Sequence, residues 1–300
     1  MPQRRGAIPV SDIAVISSPD TYIRGMPHDQ LARLRARTPV VWIPDGAEDG
    51  AGLWAVLRYT DVRHVFEHPQ IFVRAPDAPH PLGTWMRRAT APRRRPASSA
   101  PPGPGRQPAG EPARRAAKLL DLLSGRGTAD LVGEVMAGLP GPVRDAVSGG
   151  VYALLRHPDQ YARLRRDRDL LAGALEEMLR WWSPVIQVRR TVRRTTSLGG
   201  VPMRPGEQVA AWIAAANHDD EVFEDPGRFD IGRPPGRHLL HGEAARHCSA
   251  VEPARTQLRA VIGAILDRPG RIEVAGRPLR LRSITRNGFS CLPLRPAQDG

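Results

Sequence analysis

The stretch "DLLAGALEEMLRWW", residues 169–182, constrains this chain more than any other. Leu170, Ala174, Met178 and Trp182 recur every fourth residue, flanked by Leu171, Leu175 and Leu179. This spacing predicts a helix with a broad apolar face, which other elements must cover. The same helix carries Glu177 and Arg180 at i and i+3, close enough on one face to pair. The chain around it must therefore supply a mainly helical core that tolerates a charged pair.

The flanking segments supply partners for that helix. "VRDAVSGGVYALLRHP" (143–158) and "TQLRAVIGAIL" (256–266) read as helices, as does "ARRAAKLLDLLSGRG", and "TADLVGEVMAGLP" reads as a short helical pattern. "HDQLARLRAR" predicts a short helix through Leu31 and Leu34, and "PVVWIP" with "GLWAVLRY" predicts a hairpin. "TDVRHVFEHP" predicts a brief helix with Thr60 or Asp61 as its N-cap. "VIQVRRTV" and "EQVAAWIAAA" read as strands or extended buried chain, and "RIEVAGRPLRLRS" with "NGFSCLPLR" as terminal hairpin strands. Residues 91–114 hold seven prolines and no large apolar side chain, so they cannot bury enough surface to order and are expected to be disordered. The division expected is therefore an N-terminal helix and hairpin part (1–90), a proline-rich insert (91–114) and a helical core with C-terminal strands (115–300).

The net charge of +13 raises the question of nucleic acid. Lys118 is the only lysine, and the arginines are scattered apart from "RRATAPRRRP" at 87–96. A nucleic-acid surface clusters its charge and often interleaves aromatics, so no nucleic-acid partner is expected. No run approaches the ~18 apolar residues of a membrane span, and the first 30 residues lack a signal-peptide core. Two cysteines, Cys248 and Cys291, do not make a disulfide framework. A cytoplasmic setting without membrane contact is the expectation.

Three fragments then stand in a set order: "EEMLR", "EDPGRFDIGRP" and the Cys248 loop "RHLLHGEAARHCSAVEPAR" leading into a helix. In that order and spacing they resemble the cytochrome P-450 family. "DTYIRGMPHDQLARLRARTPVVWIP", "GLWAVLRYTDVRHVFEHPQIF" and "RHPDQYARLRRDRDLLAGALEEMLRWWSPVIQVRRT" resemble its soluble actinobacterial members. The resemblance covers roughly residues 12–90 and 113–295. It implies a mainly α fold with a small β region, and a haem b cofactor. It also implies hydroxylation of an apolar lipid, sterol or terpene-like molecule with electrons from a ferredoxin-type donor.

By that resemblance Cys248 matches the axial thiolate ligand of the haem iron. A cysteine loop feeding a helix suits the task, because backbone amides and a helix N-terminus stabilise a thiolate. In members of this family the thiolate pushes electron density onto the iron and favours O–O cleavage. The resemblance implies haem-propionate partners at Arg87, Arg190, His238 and Arg246, and a buried structural triad of Glu177, Arg180 and Arg228. His241 and His247 read as loop polar residues and Cys291 as strand filler.

The sequence also departs from the family pattern. His241, Ala244 and Ala250 stand where the loop ordinarily has Phe, Gly and Gly, and Pro253 falls early in the next helix. Gly83 replaces the histidine of a propionate clamp in "GTWMR", while Thr84 and Arg87 remain. Between the early helical region and the end of the long central helix, the segment that roofs the substrate pocket is missing. The acid–alcohol pair of that helix would fall on Gly141 and Pro142, which carry no proton donor. These departures imply weak haem loading and impaired turnover. The alternative is a non-catalytic auxiliary, or a decayed paralogue, acting through protein binding.

Overall fold

The computed structural model describes residues 10–44, 52–73, 110–240 and 250–297. The chain opens with three short helices, α1 (Val10–Ser17), α2 (Pro19–Arg24) and α3 (His28–Arg37), then strands β1 (Val40–Pro44) and β2 (Gly52–Val56). Helix α4 (Tyr59–Glu67) and β3 (Phe72–Val73) close the first part. After α5 (Glu111–Arg126) come β4 (Ala129–Asp130) and a π-helical turn, Leu131–Val135. Then follow α6 (Gly141–Arg156), α7 (Pro158–Arg166), a 3-10 turn (Arg168–Leu170) and α8 (Leu171–Trp182). Strands β5 (Val188–Val192), β6 (Thr196–Leu198), β7 (Val201–Met203) and β8 (Gln208–Ala211) lead to the short α9 (Ile213–Ala216). Finally α10 (Val251–Asp267) precedes β9 (Ile272–Val274), β10 (Leu279–Arg280), β11 (Phe289–Cys291) and β12 (Pro293–Pro296).

The expected apolar row on α8 is the centre of the main core. Ala174, Leu175, Met178, Leu179 and Trp182 are all buried, packed with residues of α5, α6 and α10. Helix α6 reaches α8 and α10 through glycines. A Cβ on Gly149 would lie 2.0 Å from the Trp182 indole, and one on Gly150 would lie 2.9 Å from Leu258. Only hydrogen in place of a side chain permits that approach, so "SGG" sets the spacing of the bundle.

A five-stranded sheet, ordered β1-β2-β8-β5-β3, forms the second body of the core. The expected hairpin is present, with Trp42 opposite Trp54. Strand alternation divides its residues between two faces. Val40, Val56, Val209 and Val192 face α4, whereas Val41, Ala55, Ala210 and Trp212 face α3 and Tyr22. The terminal strands pair as β10 with β11 and β9 with β12, and β12 also takes β4 on its other edge.

Three local expectations are corrected. Helix α4 starts at Tyr59 with Arg58 before it, and neither Thr60 nor Asp61 caps it. Its first N–H donates instead to the Asp219 carboxylate at 2.7 Å. A cap supplied from 160 residues away satisfies the same orphan donor as a local one. Helix α5 begins at Glu111, inside the segment assigned to the insert. Pro112 sits in its first turn, where no intrahelical N–H is required. Residues 91–109 of that segment lie outside the described residues. "TADLVGEVMAGLP" forms a two-residue strand and a π turn rather than a second helix.

Behind α9, His218 is buried, with Nδ1 3.1 Å from the Ala214 carbonyl oxygen. Its Nε2 finds no partner among the described residues, and the His28 ring lies 4.3 Å away. Burial holds the His218 imidazole well below its ordinary pKa, and the charges of His28 and Arg180 act in the same direction. In the unfolded chain this histidine takes up a proton as pH falls below about 6.5, and in the folded chain it does not. The folded state therefore loses stability below that pH, by at most about 1.4 kcal/mol per pH unit from this group. We expect His218→Asn to flatten the fall in melting temperature between pH 7.5 and 5.5. An unchanged slope would assign the acid sensitivity to other groups.

Candidate functional site

Helix α8 brings an acidic pair, Glu176 and Glu177, to its boundary with the chain that leads to and from residues 241–249. Glu177 is 3% exposed and Arg180 1%. Arg180 donates to Glu177 through Nε at 2.7 Å and Nη2 at 2.9 Å. Its Nη1 donates to the carbonyls of Asn217 at 2.8 Å and Pro226 at 3.0 Å. The expected Glu177–Arg180 pair thus meets in the interior.

The third arginine is not the expected one. Arg228 is exposed, and what it gives the cluster is its carbonyl oxygen, 3.3 Å from Arg180 Nη2. Arg233 brings its guanidinium to Glu177 instead, with Nε 3.3 Å from Oε2. The same side chain donates to the carbonyls of Glu224, Asp225 and Arg228. The 225–233 turn, with Asp225 at φ 43, shows its carbonyls to the arginines and turns the Arg228 side chain outward. Arg233 stands in the same fragment, "EDPGRFDIGRP"; its distance from Glu177 along the chain hides the contact.

A second cluster has no counterpart among the expectations from sequence. The Nε2–H of His238 donates to Glu176 at 2.9 Å, and His238 Nδ1 accepts from the Leu240 N–H at 3.3 Å. An Nδ1 that accepts cannot carry a proton, so His238 is the neutral Nε2–H tautomer. Arg255 on α10 donates to both oxygens of Glu176, at 2.7 and 2.8 Å, and to the Leu240 carbonyl at 2.9 Å. Both ring nitrogens of His238 are therefore engaged by protein, and its place in this structure is a brace on the segment before residue 241. The doubled acid of "EEMLR" was the available signal.

An apolar cleft adjoins these clusters. It is lined by Pro142 and Ala146 of α6, Leu179 of α8, Pro184, Val185, Leu240, and Val251 with Ala254 of α10. Leu240 and Ala250, which also lines it, flank residues 241–249. Cys248 and Arg246 lie in that stretch, as do His241, Ala244 and His247, and all are outside the described residues. Gly83, Thr84 and Arg87 are outside them too. Pro253 is the third residue of α10, and the first i to i−4 bond runs from the Ala254 N–H to the Ala250 carbonyl. A proline there removes no hydrogen bond, so the position early in the helix is compatible with it.

Two residues beyond Val185, Gln187 is 3% exposed, and both amide atoms lack a hydrogen-bond partner among the described residues. Arg189 and Arg190 then point to opposite faces of β5, paired with Ala210 and Val209. Arg190 goes to the α4 face, where its guanidinium lies 5.7 Å from the Phe66 ring centre. Burial pushes the Arg189 guanidinium down to about 10. Period-two alternation alone could separate these arginines but not say which face each takes.

Helix α6 begins at Gly141, so the expected positions of the acid–alcohol pair form its first turn. A Cβ on Gly141 would lie 2.5 Å from the Arg286 guanidinium carbon. That guanidinium makes a bidentate pair with the fully buried Asp145, at 2.6 and 2.9 Å. Among the described residues, no helix is long and apolar enough to cross a membrane.

The family model described as Cytochrome P-450 matches residues 146–241. A steroid C26-monooxygenase of Mycolicibacterium smegmatis is 41% identical over 140 residues, 46% of this chain and 35% of that protein. The chain thus matches about a third of the length of its 41%-identical curated relatives. A linalool 8-monooxygenase of Pseudomonas putida is 26% identical over 396 residues, spanning 92% of this chain and 97% of that protein. A 300-residue chain cannot fill 396 aligned positions, so it is shorter than this relative within the aligned span. The crystal structure of CYP108D1 from Novosphingobium aromaticivorans superposes with a TM-score of 0.77 over 97% of this chain and 99% of that one. At 21% identity, that likeness speaks for the fold alone.

Proposed function

The chain belongs to the cytochrome P-450 family, and on that premise we propose that it is a haem-thiolate protein with impaired monooxygenase turnover on an apolar, lipid-, sterol- or terpene-like molecule. The donor set fits the group. The cleft offers an apolar wall for a flat hydrocarbon macrocycle, and Gln187, two residues beyond the wall residue Val185, keeps a buried amide without a partner among the described residues for a polar edge of that group. Cys248 would hold the iron, and the Glu176–His238–Arg255 cluster would brace the chain on both sides of that loop. When bound, haem iron supplies the activation of dioxygen, with electrons from a ferredoxin-type donor.

The observation that carries the impairment is the lining of the cleft. Every described residue on it is apolar, including Pro142 in the first turn of α6. Proton delivery needs a titratable group within hydrogen-bond reach. The nearest carboxylate along α6, Asp145, is buried and held at both oxygens by Arg286. The wall can exclude water and hold an apolar molecule, but it offers no described side chain to relay a proton.

The test is a reduced carbon-monoxide difference spectrum of haem-reconstituted protein beside Cys248→Ala. A red-shifted, thiolate-type band is expected in the parent only, with partial loading. Identical spectra would refute the ligand assignment and favour a protein-binding role. Electron consumption should outrun product when a steroid, a terpene alcohol and a branched fatty acid are each offered. Product formed in step with electrons would overturn the impairment.

A further inference from the structure

Helix α4 carries a histidine pair that nothing in the haem reading uses. His64 lies in its last turn and His68 caps its C-terminus, and their rings stack with centres 3.9 Å apart and planes 28° from parallel. His68 Nδ1 is 2.9 Å from the His64 carbonyl oxygen. A carbonyl can only accept, so Nδ1 carries the hydrogen and Nε2 keeps its lone pair. Metal-binding imidazoles are commonly oriented this way, with the second nitrogen donating to a backbone carbonyl. The Phe72 ring stands edge-on to His64 at 6.0 Å, which limits that ring's freedom.

We propose that His64 and His68 chelate a divalent first-row transition ion of the nickel–copper–zinc group. Imidazole nitrogen suits these ions, whereas magnesium and calcium prefer oxygen. Both side chains are half-buried, so the site is reachable from solvent. The carbonyl end of a helix also favours positive charge. Among the described residues, no group of three or more His, Cys, Asp or Glu is gathered to hold a metal. Water would complete the coordination, which makes the bound ion exchangeable.

Nickel(II) titration of the full chain by calorimetry tests the assignment. His64→Ala, His68→Ala and Cys248→Ala are compared, because His241, His247 and Cys248 form another possible donor set. The parent and Cys248→Ala should bind one ion with equal affinity. Each histidine variant should bind about tenfold more weakly or worse, since losing even an outer contact of a ligand costs about that much. Melting in EDTA should be the same for all four proteins, separating a lost ligand from a lost fold. Should an alanine variant melt early, His68→Gln replaces it and must show the same loss of nickel. No binding by the parent, undiminished binding by His68→Ala or His68→Gln, or loss confined to Cys248→Ala would overturn the proposal.

Discussion

Glu177→Ala should yield little soluble, folded protein, and what remains should melt far below the parent. Glu177 accepts from Arg180 twice, from Arg233, and from the Asp230 N–H at 3.1 Å. Its removal leaves the Arg180 guanidinium, 1% exposed, with carbonyl partners but no counter-charge. Stranding one member of a buried pair costs about 3–5 kcal/mol. Against a total stability of about 5–15 kcal/mol, that is enough to unfold a marginal protein. A surface pair would cost under about 1 kcal/mol, so an unchanged melting curve would rule out the buried network. Arg228→Ala is the control: with its side chain exposed, it should cost no more than a surface substitution, whereas Arg233→Ala should be clearly destabilising.

Arg286→Ala should have the second-largest effect, because it strands the carboxylate of Asp145. The pair joins the start of α6 to the chain before β11 across 141 residues. It is also built into its surroundings. A Cβ on Gly141 would meet the guanidinium at 2.5 Å, and one on Gly288 would meet the carboxylate at 2.2 Å. Arg286 is one-third exposed, so water can partly replace it, and the loss should fall near the lower end, about 3 kcal/mol. Burial already raises the Asp145 carboxyl above its ordinary pKa, and Arg286 opposes that rise. Without Arg286 the carboxyl should rise further and hold a proton that the unfolded chain releases. The variant should then gain stability relative to the parent as pH falls from 8 to 5. Adding Asp145→Asn should restore part of the loss at pH 8. A double variant no better than Arg286→Ala would show that the damage lies in packing rather than in the stranded charge.

The two networks separate what is local from what is not. The row from Ala174 to Trp182, the pairing of Glu177 with Arg180 and the hairpin of β1 with β2 follow from periodicities of 3.6 and 2, and each was legible in the sequence, although Leu170, expected to begin the row, lies in a 3-10 turn before the helix and is not buried. So was the order of fragments that points to the family. The sequence also carried the ground for the proposed impairment, because Gly141 and Pro142 have no side-chain proton to give in any fold.

Tertiary structure decided the choices between near-equivalent residues. Arg228 and Arg233 stand in one fragment far along the chain from Glu177, and the turn at 225–233 selects the second by directing the first into solvent. Arg189 and Arg190 differ by one residue, and only the register with β8 shows which of them is placed against Phe66. The cap of α4 by Asp219 and the hold of Arg286 on Asp145 span 160 and 141 residues. Local propensity falls off within a few residues, whereas a buried charge requires a partner wherever the chain can deliver one. Here the folded chain, more than the order of residues, determined which partner it was.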